Sequence, residues 1–394
     1  MTWRERRVRE LAQLINGYPF NSDDFTFDAE VPLVRIRDIL SQPFETFVPR
    51  EVVPPEAWVR DGDLVIGMDG DFNCTLWSRG PAALNQRVCL LRGTEANDLR
   101  FLAYALPNHL RVINDLTYST TVKHLSSGQV KAIRLLSPDA SERVAVANYL
   151  DRETAKIDAL ITEQGGLINA LRERRSAVIT RATGWGGKPP SHWAWMRLSW
   201  LFRSTGSGTT PSPHDIVDPR DDTIPWVTTG ELRETVITTT RMAVTSESLA
   251  NYSALKVHPA GSLLIAMYGA TIGRMSILGI PAASNQACCA LIGPNGCIAE
   301  FVQYSLLAAR ERLVLAAAGG GQPNINQDKV RSFRIPVPTV EEQRNIVSYL
   351  DEQTKKIDAL IDEAEGIAAV AKERRSALIA SVMAGQIDVR EEVA

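Results

Sequence analysis

Between residues 139 and 183 mainly apolar or small side chains recur at steps of three and four, with Gln164 and Arg175 the exceptions: Ala147, Leu150, Thr154, Ile157, Ile161, Gln164, Ile168, Leu171, Arg175 and Val178. The same steps return as Val347, Leu350, Thr354, Ile357, Ile361, Ala364, Ala368, Ala371, Arg375 and Leu378, each displaced by 200 positions (347 − 147). Sustained over about four to five heptads, they predict a narrow coiled-coil seam on two long helices. About 40 residues at roughly 1.5 Å each make rods of about 60 Å. So narrow and long a seam calls for a partner helix, and the partner at hand is the other copy, packed antiparallel. Leu150, Ile157, Ile161, Leu171, Leu350, Ile357, Ile361 and Leu378 are the candidate interface positions. Asp139/Glu142 and Thr339/Glu342 predict a reciprocal cap at each helix start, just after Pro138 and Pro338. Gly165, Gly166 and Gly366 are candidate kink positions.

Elsewhere the apolar runs are short. VPLVRIRDI from Val31 and GDLVIGMDG from Gly62 read as strands separated by turns, with one helix near Leu99–Leu106. The domain plan is a first module (1–138), a central helix (139–183), a Gly- and Pro-rich linker (184–192), a second module (193–338), and a C-terminal helix and tail (339–394). NYLDRETAKIDALI from Asn148 returns as SYLDEQTKKIDALI from Ser348, and ERRSA from Glu173 returns from Glu373. The modules repeat more weakly. GDLVIGMDG matches GSLLIAMYG, LNQRVCLLRG matches SNQACCALIG, and KHLSSGQVKAIRLLSP matches PNINQDKVRSFRIPVP from Pro323. So long a period excludes a solenoid, whose units run to roughly 20–50 residues. Similar helices with diverged modules suit a shared scaffold serving two different targets, or drift on exposed loops.

Composition narrows the class. Apolar residues at 44% and charged residues at 23% are those of a soluble globular chain. The longest apolar run, Leu306 to Ala318, is broken by Arg310, Glu311 and Arg312, and MTWRERRVRE lacks the apolar core of a signal peptide. Five cysteines without a CxxC pair fit a reducing cytoplasm. Net charge is −3, so any nucleic-acid surface must be a local patch; residues 185–338 carry 13 Lys/Arg against 10 Asp/Glu. No Walker, dinucleotide or nucleophile-elbow motif is present, and the histidines and cysteines lack metal-ligand spacing. Gly206-Ser-Gly208-Thr-Thr-Pro lacks the lysine and following helix of a phosphate loop and reads as a turn. Asn85-Gln86 and Asn285-Gln286 recur before an apolar strand, either to read adenine edges or, the preferred reading, to brace a loop.

Two diverged modules alternating with two similar long helices, together with EEQRNIVSYLD from Glu341, IDALI, and ERRSALI followed by GQIDV, resemble the specificity subunits of type I restriction-modification systems. GTTP from Gly208, IPWVTTGEL from Ile224, GSLLIAMYGATIG from Gly261 and SNQACCAL from Ser284 look like that family's target-recognition domains. The first module departs from the pattern, since GMDGDFN lacks the second glycine of GATIG. The resemblance implies an α+β fold: two mixed α/β target-recognition domains separated by two antiparallel coiled-coil helices, internally duplicated. It implies a non-catalytic cytoplasmic subunit reading a bipartite double-stranded DNA target. The implied partners are two modification (adenine methyltransferase) subunits, which carry S-adenosylmethionine, and restriction subunits. No membrane is involved, and no cofactor belongs to this chain.

Basic and amide loop residues are the candidate DNA contacts: Arg35, Arg37, Lys123 and His124 in the first module, and Thr228, Thr229, Arg274, Asn324 and Lys329 in the second. Each taken singly also fits a solvated surface position. Arg174, Arg175, Arg374 and Arg375 beside the seam offer surface to further subunits. Two other classes stay open on the residues alone. An adaptor binding protein through its modules predicts no salt-dependent DNA binding; an enzyme predicts activity from the single chain.

Overall fold

The computed structural model describes residues 3–41, 43–93, 95–116, 123–315 and 324–389. Met1 and Thr2, the 316–318 end of the apolar run, Pro323 and residues 390–394 of the tail lie outside them. Two compact units divide the chain, and they do not follow chain order. One is Met1–Gln164 with Gly366–Ala394; the other is Gly165–Glu365. The divisions fall at Gly165 and Gly366, yet helices Ala140–Ala182 and Val340–Met383 are continuous in secondary structure through them. Each unit therefore holds one module and part of each long helix.

In the first unit an antiparallel sheet runs in the order Gln13–Asn16, Val88–Arg92, Leu64–Gly67, Cys74–Leu76. A second sheet orders Phe47–Val48, Val31–Val34, Ala82–Leu84 and Trp58–Val59, with Val31–Val34 parallel to Ala82–Leu84. All four residues of Leu64–Gly67 are buried, which is why this strand reads as a continuous apolar run instead of alternating. The module's helix covers Ala96–Leu116, well beyond the expected Leu99–Leu106. It continues through Pro107 because Leu102, Leu106 and Leu110 keep one buried stripe, and that packing outweighs the roughly 3 kcal/mol cost of an interior proline. Val146 and Leu150 of the first long helix and Val382 of the second enter the same core.

The second unit repeats this plan. One sheet orders Phe202–Ser207, Cys288–Pro294, Leu263–Ala266, Met275–Leu278 and Val236–Ile237. The other orders Ile216–Val217, Met242–Val244, Ile224–Val227 and Ala283–Ser284, the last two again parallel. Helices Ala299–Ala308 and Arg310–Leu315, which the sequence reading missed, cover it.

Within each unit the two long helices run antiparallel. Arg172 pairs with Glu365 and Arg175 with Asp358, so one number rises as the other falls. In the first unit Arg375 pairs with Asp158, while Leu150 shares a core with Leu378 and Val382. Leu150, Ile157, Leu171, Leu350 and Ile357 are buried and Ile161, Ile361 and Leu378 half-buried, so the seam is occupied inside the chain. Arg175 and Arg375 are correspondingly engaged by acids of the other helix instead of standing free for other subunits.

Each module is tied to its helix by the same triad. Tyr104 Oη donates to Asp151 Oδ1 at 2.6 Å beside Thr154 at 3.2 Å; Tyr304 Oη donates to Asp351 Oδ1 at 2.7 Å beside Thr354 at 3.4 Å. Burial, reinforced by the aspartate, pushes both phenols up to about 12, so they stay protonated donors at neutral pH.

The expected caps differ. Thr339 and Glu342 form the full reciprocal box, Thr339 N donating to Glu342 Oε2 at 3.0 Å and Glu342 N to Thr339 Oγ1 at 3.3 Å. In the first copy Asp139 accepts from Glu142 N at 2.8 Å, but the Glu142 carboxylate turns away to accept from Trp3 Nε1 at 3.1 Å. That expectation is half met, because Trp3 competes for the acid. Both helices end alike. Gly184 and Gly385 adopt φ of 79° and 70°, and the next residues, Trp185 and Gln386, each donate at 2.9 Å to a carbonyl five positions back. This C-terminal closure needs a left-handed residue, the conformation in which only glycine pays no Cβ penalty.

Candidate nucleic-acid interface

In the first module three chain segments meet at one end of the sheets. Met68 N donates to Arg87 O at 3.0 Å and Leu125 N to Met68 O at 2.7 Å, which brings Asp69, Arg87 and His124 together. His124 Nδ1 lies 2.6 Å from Asp69 Oδ1, and Arg87 Nη1 lies 3.4 Å from Asp69 Oδ2. Arg87 and His124 remain exposed, so this acid orients two solvent-facing side chains. The second module repeats the backbone frame with other side chains. Met267 N donates to Ala287 O at 2.8 Å, Ile325 N to Met267 O at 2.7 Å, and Tyr268 bridges Asn324. Asp69, Arg87 and His124 are thus replaced by Tyr268, Ala287 and Asn324.

The turn at the Asn-Gln pair links this cluster to a second loop. Asn85 N donates to Val34 O at 3.2 Å and Asn285 N to Val227 O at 3.0 Å, next to Arg35 and Thr228. Both residues head a short helical turn closed by an acid three positions on. Arg35 N donates to Asp38 Oδ2 at 3.1 Å, and Thr228 N to Glu231 Oε2 at 2.8 Å. The pair itself divides its labour. Asn85 is buried and its Oδ1 accepts from Arg87 N at 3.4 Å, whereas Gln86 and Gln286 are exposed. Bracing describes Asn85 and also Gln286, whose Oε1 accepts from Thr210 Oγ1 at 2.6 Å, whereas Gln86 faces outward. Gly208 follows a strand, and a Cβ there would lie 1.5 Å from Ser284 O; the Gly-rich stretch is a close backbone crossing, not a phosphate loop.

The candidate contacts fall into two groups. Arg37 and His124 reach solvent, as do Arg274 and Asn324, while Thr228 and Thr229 are half-buried in their turn. Arg37 pairs with Glu45 at 3.2 Å. Lys329 lies in the short helix Gln327–Ser332, capped by Asn326. Lys123 is held inward: its Nζ donates to Asn114 O at 2.7 Å and Oδ1 at 2.9 Å. Arg35 likewise turns back on Asp38, and its buried Nη2 has no hydrogen-bond partner. Asp69, Arg87 and Tyr268 were missed, and the two glutamines were read in the first place as loop braces. The one signal for Arg87 was its place directly after the repeated Asn-Gln.

Among the described residues no group of three or more His, Cys, Asp or Glu could hold a metal ion. Burial pushes the thiols of Cys89, Cys288 and Cys289 up to about 12, so these strand cysteines are packing residues. No helix among the described residues is long and apolar enough to cross a membrane.

Two modules of one frame on paired helices, with different polar clusters at corresponding ends, make a duplicated two-module scaffold, and the sequence says which class it belongs to. Residues 1–169 and 190–365 match the type I restriction modification DNA specificity domain, and the chain belongs to that family, whose members are recognition rather than catalytic subunits. It is 27% identical over 416 aligned residues to the Escherichia coli type I restriction enzyme EcoBI specificity subunit, covering 98% of this chain and 86% of that protein. Over 238 residues it is 26% identical to the EcoR124I/EcoR124II specificity subunit of the same organism, 58% of this chain and 56% of that one. Its fold matches a chain from a structure concerned with complex assembly and conformational transition of the type I restriction-modification system, with TM-score 0.68, 18% identity and 97% of both chains covered. The HsdS subunit of Thermoanaerobacter tengcongensis matches with TM-score 0.50 and 16% identity, covering 98% of this chain and 97% of that one.

Proposed function

We propose that each module reads one half of a bipartite double-stranded DNA target, and that the helix pair sets the unread spacer. The observation that supports this reading is the repeated frame with exchanged side chains: Asp69, Arg87 and His124 in one module, Tyr268, Ala287 and Asn324 in the other. A repeated frame holds a reader in a given pose, and exchanged donors and acceptors change what it reads, since an amide suits adenine and an arginine suits guanine. The chain then docks modification (adenine methyltransferase) subunits, which bring S-adenosylmethionine and the chemistry, and through them restriction subunits. Sequencing of methylated bases in a host with and without this gene tests it. A gained motif of two short halves around an unspecified spacer is expected; no gained motif in the presence of the modification subunit overturns it.

A further inference from the structure

The N-terminal strand of each module, Arg4–Arg7 and Ala194–Arg197, forms a two-stranded antiparallel ribbon with the strand that leads into the long helix. Register places Arg7 directly opposite Arg134 in one ribbon and Arg197 directly opposite Arg334 in the other. Like charges in that position repel, and while Leu135, Ile335 and Val337 anchor the ribbons in the cores, Arg134, Arg197 and Arg334 are exposed and serve no packing. They nevertheless occupy the same place in both modules, whose sequences have otherwise diverged. Lys131 and Arg331, exposed on the corresponding short helices Ser127–Ala132 and Gln327–Ser332, add a third cation to each set. Those helices begin just beyond His124 and Asn324, so one segment carries a candidate reader and then the cations.

We propose that the paired arginines of each ribbon, with Lys131 or Arg331, clamp the DNA phosphate backbone beside the half-site that the module reads. The inference rests on DNA being the ligand of the modules. Two guanidiniums side by side offer forked donors to phosphate oxygens, and the anion relieves the repulsion between them. The clamps are not equal. Glu5 pairs with Arg134 at 3.0 Å and partly neutralises the first. In the second, Trp195 stands where Glu5 does, Arg197 lies 5.8 Å from the Trp200 ring, and Arg197 and Arg334 make no ion pair among the described residues. The second clamp is the stronger.

Binding of the full chain, alone and with its modification subunit, to a duplex of scrambled sequence is measured between about 50 and 200 mM salt, where each lost phosphate contact lowers the log–log slope by about 0.9. Arg197→Gln with Arg334→Gln should lower it by about 1.8, weaken target and scrambled duplexes alike, and leave the methylated motif unchanged. Arg7→Gln with Arg134→Gln should lower it by less. Arg197→Lys with Arg334→Lys should keep the slope and lose affinity, since charge remains and the fork does not. Unchanged slopes in both glutamine pairs overturn the clamp, as does loss of the modification subunit at an unchanged slope, which would make the ribbon a protein contact. Should the double variant not fold, Arg334→Gln alone carries the test, with a drop of about 0.9. Failure of the wild-type chain to prefer any target would instead count against the reading function.

Discussion

Arg375 donates through Nε to Asp158 Oδ1 at 2.8 Å, and Arg175, 200 positions earlier (375 − 175), makes the same bond to Asp358 at 2.8 Å. The ERRSA run of one copy thus meets the IDALI run of the other. Both partners are exposed to a third or more in the first pair, so its stabilisation is about 0.2–1 kcal/mol. Asp158→Arg should cost that much and more through repulsion, and adding Arg375→Asp should recover most of it. A double-mutant cycle by thermal melting checks this; additive single effects would mean the pair does not couple.

Arg143 Nε donates to Asp98 at 2.7 Å with both side chains nearly buried, while the corresponding Gln343 donates to Pro338 O at 3.0 Å and accepts from Ile298 N at 2.8 Å. Arg143→Gln strands a buried carboxylate and should destabilise the first unit by about 3–5 kcal/mol. Asp98→Asn added to it should recover part of the loss. Hydrogen exchange of the strand Leu64–Gly67 reports on this unit alone.

Phe72 is buried at φ 51°, the left-handed place that Gly273 occupies in the second module at φ 76°. Phe72→Gly relieves about 1–2 kcal/mol of backbone strain and loses the roughly 3–5 kcal/mol of a buried phenyl. The net effect should be a lower melting temperature, and a gain in stability would show that the side chain packs poorly.

Arg87→Ala should relax one position of the first half-site at a cost of about 1–3 kcal/mol and leave the second half untouched. Asn324→Ala should do the reverse. Methylated-base sequencing with each variant separates the two modules, and a change in both halves from either variant would contradict separate readers.

One heptad inserted after both Ile161 and Ile361 keeps the seam in phase and adds about 10 Å, close to three base pairs. Both half-sites should persist while the spacer lengthens or recognition weakens, because three base pairs also turn the second half-site by about 100°. An unchanged spacer would remove the helices from the role of ruler.

The helices were legible because a seam is local: steps of three and four show wherever one stripe of a helix is buried, and a duplication at constant offset exposes them twice. Leu350 and Ile357 needed no fold to be placed in it. The strands around Leu64 and Leu263 showed for the same reason, as short runs buried on both faces. What the sequence could not say was which side chains meet. Asp158 and Arg375 lie more than 200 positions apart, and only an antiparallel pairing brings them within a hydrogen bond. Lys123 and Arg35 looked like free cations, yet Asn114 and Asp38 hold them inward. Arg87 looked like any surface arginine until the Met68 turn set Asp69 beside it. Periodicity is written along the chain and can be read there, whereas the direction of a polar side chain depends on a partner that arrives only when distant strands are brought side by side.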